Sequence, residues 1–200
     1  MPLTEPEPTT LPIRAQFRAL TRPQVLASLV TTALVFGGMF SVFAYIKPLL
    51  RQVTGFSAGA VPWLLIVFGV GLFVGNLVGG RMADRDPDRA VLLLAVVILG
   101  LRLVSESRLG MVLGLFALGL VGFATVPGLQ TRVLTHATGA ATLASAVNIA
   151  AFNLGNSLGV TLAGVAIGAG FGLLSPTLVG AGLSLLGLAL FVAAKRGSRG

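Results

Sequence analysis

Asn76, Asn148, Asn153 and Asn156 all stand inside long apolar stretches of this 200-residue chain. An amide both donates and accepts hydrogen bonds. At membrane depth it suits contact with a sugar or a neutral polar drug, and a polar group there is costly enough to need a reason. Asn153 and Asn156 are three residues apart and share a helix face. Asn148 lies about 140° from Asn153 around a 3.6-residue helix, so the three do not make one narrow stripe. Hydrogen bonding between helices is an equal reading for all of them, and at Asn76 the flanking Gly75 and Gly79 favour it. Tyr45 is a candidate gate at the outer mouth of a cavity. Interfacial anchoring is its plainer role, as for Trp63. Gln130 reads as an interfacial cap.

A second constellation is the charged run at residues 79–89, Gly-Gly-Arg-Met-Ala-Asp-Arg-Asp-Pro-Asp-Arg. A carboxylate at a helix end pairs with a nearby Arg and with a neighbouring helix N-terminus. Gly80, Asp84, Arg85 and Arg89 are therefore candidates for a latch that holds one conformation and breaks in another, with Gly79 and Gly80 expected to let helices approach closely. The plainer reading is a solvated turn whose bases set topology. Two G-x-S-x-G matches, at Ser57 and Ser157, carry no hydrolase expectation. A serine nucleophile needs a strand-to-helix elbow and a histidine in reach. His136 is the single histidine and is expected in the opposite loop from Ser57. With one His and no Cys, no metal centre is expected, and nothing in the sequence calls for a cofactor or an enzyme.

These side chains need a scaffold, and composition names it. The chain is 55% hydrophobic and only 10% charged, with a mean hydropathy of +0.96. Soluble domains carry about 25% charge, so an all-α integral membrane protein is expected. Six apolar runs are judged against the ~20 residues that cross the hydrocarbon: Val25–Ile46, Ala58–Gly80, Ala90–Val104, Gly110–Leu129, Ala140–Ile167 and Pro176–Ala194. The third is short and contains Arg102, which can snorkel to the interface. The runs are continuous rather than alternating, which favours helices over barrel strands. Pro23, Pro62 and Pro176 suit helix first turns, and Ser57 and Ser175 suit N-caps. Residues 1–22 form a polar, Pro-rich tail, expected to be loose and to end in a short surface helix. Residues 23–195 form the bundle, and 196–200 a basic tail. The +8 charge belongs to loops and tails beside a membrane, not to nucleic-acid binding. Six spans put both termini on one side. Ten of the fourteen Lys and Arg fall there and four (Lys47, Arg51, Arg102, Arg108) on the other. Both termini and the 81–89 loop are therefore expected to be cytoplasmic.

The order Gly80, three residues, Asp84-Arg85, then Arg89 resembles the loop motif of the major facilitator superfamily. Pro87 and Asp88 depart from the strong form and fit the weaker second-half version. The stretch from Tyr45 to Gly55 resembles the outer end of helix seven in its arabinose-efflux-like drug and sugar exporters. Asn76 with Gly75, Gly79 and Gly80 resembles their helix eight, and Asn148–Gly159 their helix eleven. The resemblance covers about Arg22 to Ala194. It implies a six-transmembrane-helix bundle equivalent to the carboxy-terminal half of a twelve-helix transporter in the cell membrane. It also implies small-molecule efflux by alternating access, with protons as the family's coupling ion. No carboxylate is expected inside a span, so a coupling carboxylate would come from a second six-helix half; dimerisation of this chain is the other route to a complete cavity. A truncated or structural, non-transporting membrane subunit is the competing reading.

Overall fold

A computed structural model describes the backbone of residues 12–85 and 87–197, and the side chains of the same residues apart from 82–87 and 195–197. Most of the Pro-rich tail (1–11) and the end of the basic tail (198–200) lie outside the described residues. The chain enters through α1 (Ile13–Leu20), then α2 (Pro23–Phe43), which runs on through α3 (Ile46–Pro48) into a π-helical turn, Leu49–Val53. A 3₁₀ turn (Ala58–Ala60) leads into α4 (Val61–Arg85), followed by α5 (Pro87–Leu103), α6 (Arg108–His136) and α7 (Ala141–Ala166). A second π-helical turn, Ile167–Phe171, precedes α8 (Ser175–Gly197). No strand occurs among the described residues.

Local chemistry sets several of these boundaries. Pro23 stands in the first turn of α2, where its missing N–H costs nothing. Ser107 caps α6 by accepting the Gly110 N–H at 3.1 Å. The turn into α8 uses Gly170 and Gly172 at φ of 87° and 79°, which a Cβ would disfavour. Ser57 and Ser175 do not cap. Ser57 makes no side-chain cap bond, and the Ser175 hydroxyl turns back to the Gly172 carbonyl at 2.7 Å. The fourth span is longer than the apolar run, because Thr131, Arg132, Thr135 and His136 continue α6 with polar side chains.

Among the described residues, five helical stretches are long and apolar enough to cross a membrane: Pro23–Val53, Ala58–Arg81, Arg108–His136, Ala141–Phe171 and Ser175–Ala194. The sixth bundle helix, α5, has 17 residues, or roughly 25 Å, the short end of what spans the hydrocarbon. Its Leu94 and Ile98 are fully buried, and it packs against α6 and α8.

Helix pairing follows the glycines. On α4, Gly71, Gly75 and Gly79 lie against the backbone of Phe116, Leu120 and Ala124 on α6. On α7, Gly155 and Gly159 lie against Ala33 and Gly37 of α2. A Cβ on Gly79 would stand 2.8 Å from the Ala124 carbonyl oxygen. Lipid tails are as apolar as leucine, so close backbone packing replaces the hydrophobic drive between helices. Gly80 differs from the expectation. It points into open space, because one residue on from Gly79 is a turn of about 100° away from α6.

The main pairings are α4 with α6, α2 with α7, α2 with α8, α5 with α6, and α5 with α8. Exchanging the first three bundle helices for the last three (α2 with α6, α4 with α7, α5 with α8) reproduces that set, the plan of an inverted three-helix repeat. The helices form a row, α4–α6–α2–α7, with α5 and α8 behind its middle. Met39, Leu94, Ile98, Leu101, Met111, Leu115 and Leu118 form the buried centre, between α2, α5 and α6. The most apolar stretch of α2 is 67% buried, that of α4 28% and that of α7 17%.

Candidate functional site

The four asparagines separate into different environments. Asn148 is fully buried. Its Nδ2 donates to Gln130 Oε1 on α6 at 2.6 Å, and Gln130 Nε2 donates to Ser145 Oγ at 2.7 Å. Gln130 is thus a link between α6 and α7 rather than an interfacial cap. Asn148 Oδ1 finds no donor among the described residues, and neither does Asn156 Oδ1. Asn153 is exposed and bonds only its own helix, donating to the Ile149 carbonyl at 3.0 Å. Asn156 is half-buried one turn later, and Asn76 is exposed on α4. Tyr45 is half-buried at the end of α2. Its hydroxyl donates to the Val160 carbonyl at 3.2 Å, and its ring tip lies over Gly164 on α7.

Sequence reasoning missed the aromatic group between these amides. Phe36 of α2 meets Phe152 of α7 edge-on at 4.6 Å and Phe123 of α6 at 5.8 Å. Phe40 and Phe43 continue along α2, and Phe43 stacks on Phe68 of α4 at 4.4 Å. Four helices of the row therefore meet through phenylalanine rings. Phe36, Phe40 and Phe43 recur at helical spacing, and that was the available signal. Aromatic walls with a few amides can hold a flat or semi-polar solute by stacking and directed hydrogen bonds.

The latch residues fare unevenly. The side chains of Asp84 and Arg85 lie outside the described residues. Gly80 is exposed with no neighbour to meet, and Arg89 is exposed at the start of α5. The better-built clasp at this end centres on Arg132, which sequence reasoning used only to set orientation. Its Nε donates to Ser28 Oγ of α2 at 3.2 Å, and its Nη2 to the Phe191 carbonyl of α8 at 3.2 Å. The guanidinium also lies 3.5 Å over the Phe191 ring. The Ser28 hydroxyl in turn donates a hydrogen bond to the Gln24 carbonyl at 2.7 Å. Asp88, in the first turn of α5, is the carboxylate whose charge bears on Arg132. One planar cation thus joins α2, α6 and α8, a role that a point charge such as Lys fills poorly. Asp88, a departure from the loop motif, sits where a helix N-terminus favours negative charge.

At the opposite end the basic residues fasten loops. Arg102 reaches the Leu174 carbonyl at 3.3 Å, and Arg108 the Gly55 carbonyl at 3.0 Å. Thr54 donates to the Ser105 carbonyl at 2.7 Å. Ser57 lies at this end and His136 at the other.

Residues 8–199 match the family model described as Major Facilitator Superfamily. The chain is 39% identical over 181 residues to the inner membrane transport protein YdhP of Escherichia coli K12, covering 87% of this chain and 46% of the relative. It is 32% identical over 186 residues to the chloramphenicol resistance protein of Streptomyces lividans, covering 91% and 47%. It is 33% identical over 184 residues to the purine ribonucleoside efflux pump NepI of Salmonella paratyphi B, covering 90% and 46%. The chain spans about half the length of these curated relatives.

Proposed function

The chain belongs to the Major Facilitator Superfamily, and from that premise we propose that it forms one six-helix wall of an exporter for small neutral drugs, sugars or nucleoside-like solutes. The single observation that carries this reading is a multi-pass bundle whose uncovered outer helices, α4 and α7, present Asn76, Asn153 and Ser157. Polar side chains at membrane depth face a cavity or a protein partner rather than lipid. A second six-helix unit, on whichever polypeptide supplies it or as a second copy of this chain, closes the cavity over the Phe36 aromatic group and the Asn148–Gln130 pair. Alternating access then follows from rocking of one bundle against the other.

The Arg132 clasp and the 81–89 loop share one end of the bundle. The excess of bases at that end supports a cytoplasmic placement, with both termini inside the cell and the bundle in the plasma or inner membrane. The latch role of Gly80, Asp84, Arg85 and Arg89 belongs to the same proposal, with Arg132 and Asp88 as its anchor. Among the described residues the charged acids sit at helix ends or in loops, so proton coupling is assigned to the second unit. The test is efflux from cells expressing this chain with and without a second six-helix unit. Export of a drug, sugar or nucleoside by either arrangement supports the reading. If neither moves any solute, the chain is a non-transporting membrane subunit.

A further inference from the structure

The short helix α1 has no part in the cavity, and its surface is built for a different contact. Ile13, Phe17 and Leu20 fall on one face at helical spacing, and Arg14 and Arg18 follow each other one turn apart on its flank. Leu20 is buried with Val25, Val133, Ala137 and Ala144, at the junction of α6 and α7. Ile13 and Phe17 continue the same stripe outward but are 73% and 57% exposed. The corner after α1 is fixed. Thr21 Oγ1 donates to the Arg18 carbonyl at 3.0 Å. Arg22 Nη1 reaches Thr138 Oγ1 at 3.2 Å and the His136 carbonyl at 3.4 Å. Those bonds hold α1 at the level where the spans end, which is the headgroup level of a bilayer. No acid lies in α1 to neutralise its bases.

We propose that α1 is a lipid-surface anchor: Ile13 and Phe17 enter the acyl boundary while Arg14 and Arg18 hold the phosphates of anionic phospholipids. An amphipathic helix with an apolar face and a basic flank lies in the interface in this way. The charge complementarity selects an anionic lipid surface over a zwitterionic one, and the spans beside it put that surface within reach. The inference does not depend on which solute is transported.

The chain has no cysteine, so Ile13→Cys carries one environment-sensitive fluorophore on the full-length protein. In nanodiscs of phosphatidylcholine with phosphatidylglycerol, the emission is expected to shift to the blue and to be quenched by doxyl lipids near the headgroup. The docked-to-undocked ratio should fall about fivefold for each of Arg14→Gln and Arg18→Gln at low salt. Added salt should have the same effect, while Arg14→Lys with Arg18→Lys should keep docking. Equal emission in discs with and without phosphatidylglycerol overturns the proposal, as does indifference to the Gln pair. Burial that appears only when a second six-helix unit is added, whatever the lipid, also overturns it and assigns the face to protein.

Discussion

Asn148 and Asn153 lie on the same helix but answer to different forces. Asn148 is sealed against α6 through Gln130, so its loss strips the half-buried Gln130 Oε1 of its donor. Asn148→Ala should lower stability by about 0.6–1.7 kcal/mol, the span from the average to the largest interhelical hydrogen bond in membranes. Asn153 is exposed and bonded only to its own backbone. Asn153→Ala should change stability by less than about 0.5 kcal/mol. Thermal melting in detergent checks both, and efflux separates the roles. Lost export by the Asn153 variant with unchanged melting marks a solute contact; unchanged export returns Asn153 to the packing reading. Arg132 gives a second residue-scale prediction. Arg132→Ala should cost about 1.5–3 kcal/mol, the range for hydrogen bonds to a charged group. Arg132→Lys should recover only part, because an ammonium cannot fork to Ser28 and Phe191 and stack on the ring at once. Equal melting of the Lys variant and the parent chain would show that charge alone matters there.

Among the helices, the glycine seams make the sharper forecast. A methyl group on Gly159 would collide with the Gly37 backbone, and one on Gly75 with that of Leu120. Backbone cannot swing aside as a side-chain tip can, so Gly75→Ala and Gly159→Ala should each cost about 1–3 kcal/mol. Gly80 sits in the same helix as Gly75 with nothing near it, so Gly80→Ala should be neutral or stabilise by up to about 1 kcal/mol. Chemical unfolding of the three variants checks this, and similar losses at all three would refute the seam. The apolar runs, and Gly75 and Gly79 flanking Asn76 as packing glycines, were legible because each is a local pattern. Which of two adjacent glycines met α6 was not, since it depends on helix rotation within the bundle. The full length of α6 was hidden for a related reason: hydropathy falls at Thr131 while backbone hydrogen bonding continues to His136. Gln130 looked interfacial in sequence and Arg132 only marked orientation, because their partners, Asn148, Ser28 and Phe191, lie on other helices.

The whole bundle exposes two kinds of surface, and their chemistry differs. On α5 the outward residues include Leu92, Leu93, Val96, Leu99 and Leu103, all apolar, which suits acyl chains. On α7 the outward residues alternate Leu154 and Leu158 with Asn153 and Ser157. Burying an amide and a hydroxyl in hydrocarbon is unfavourable unless they find partners, so the α7 face should meet the second six-helix unit or the cavity it encloses. The absence of native cysteine makes this directly measurable. Lipid should shield Ser157→Cys from a water-soluble maleimide when the chain is alone in proteoliposomes, and labelling should rise several-fold when the second unit is supplied and a wet cavity forms beside α7. Val96→Cys, on the α5 face, should stay unlabelled in both cases because lipid excludes the reagent. Solute added to the assembled pair should lower that labelling again if the site lies beside α7. Labelling of Ser157→Cys that ignores the second unit, or strong labelling of Val96→Cys, would reverse the assignment of the two faces. The transporter reading would then need its cavity on the other side of the α4–α6–α2–α7 row.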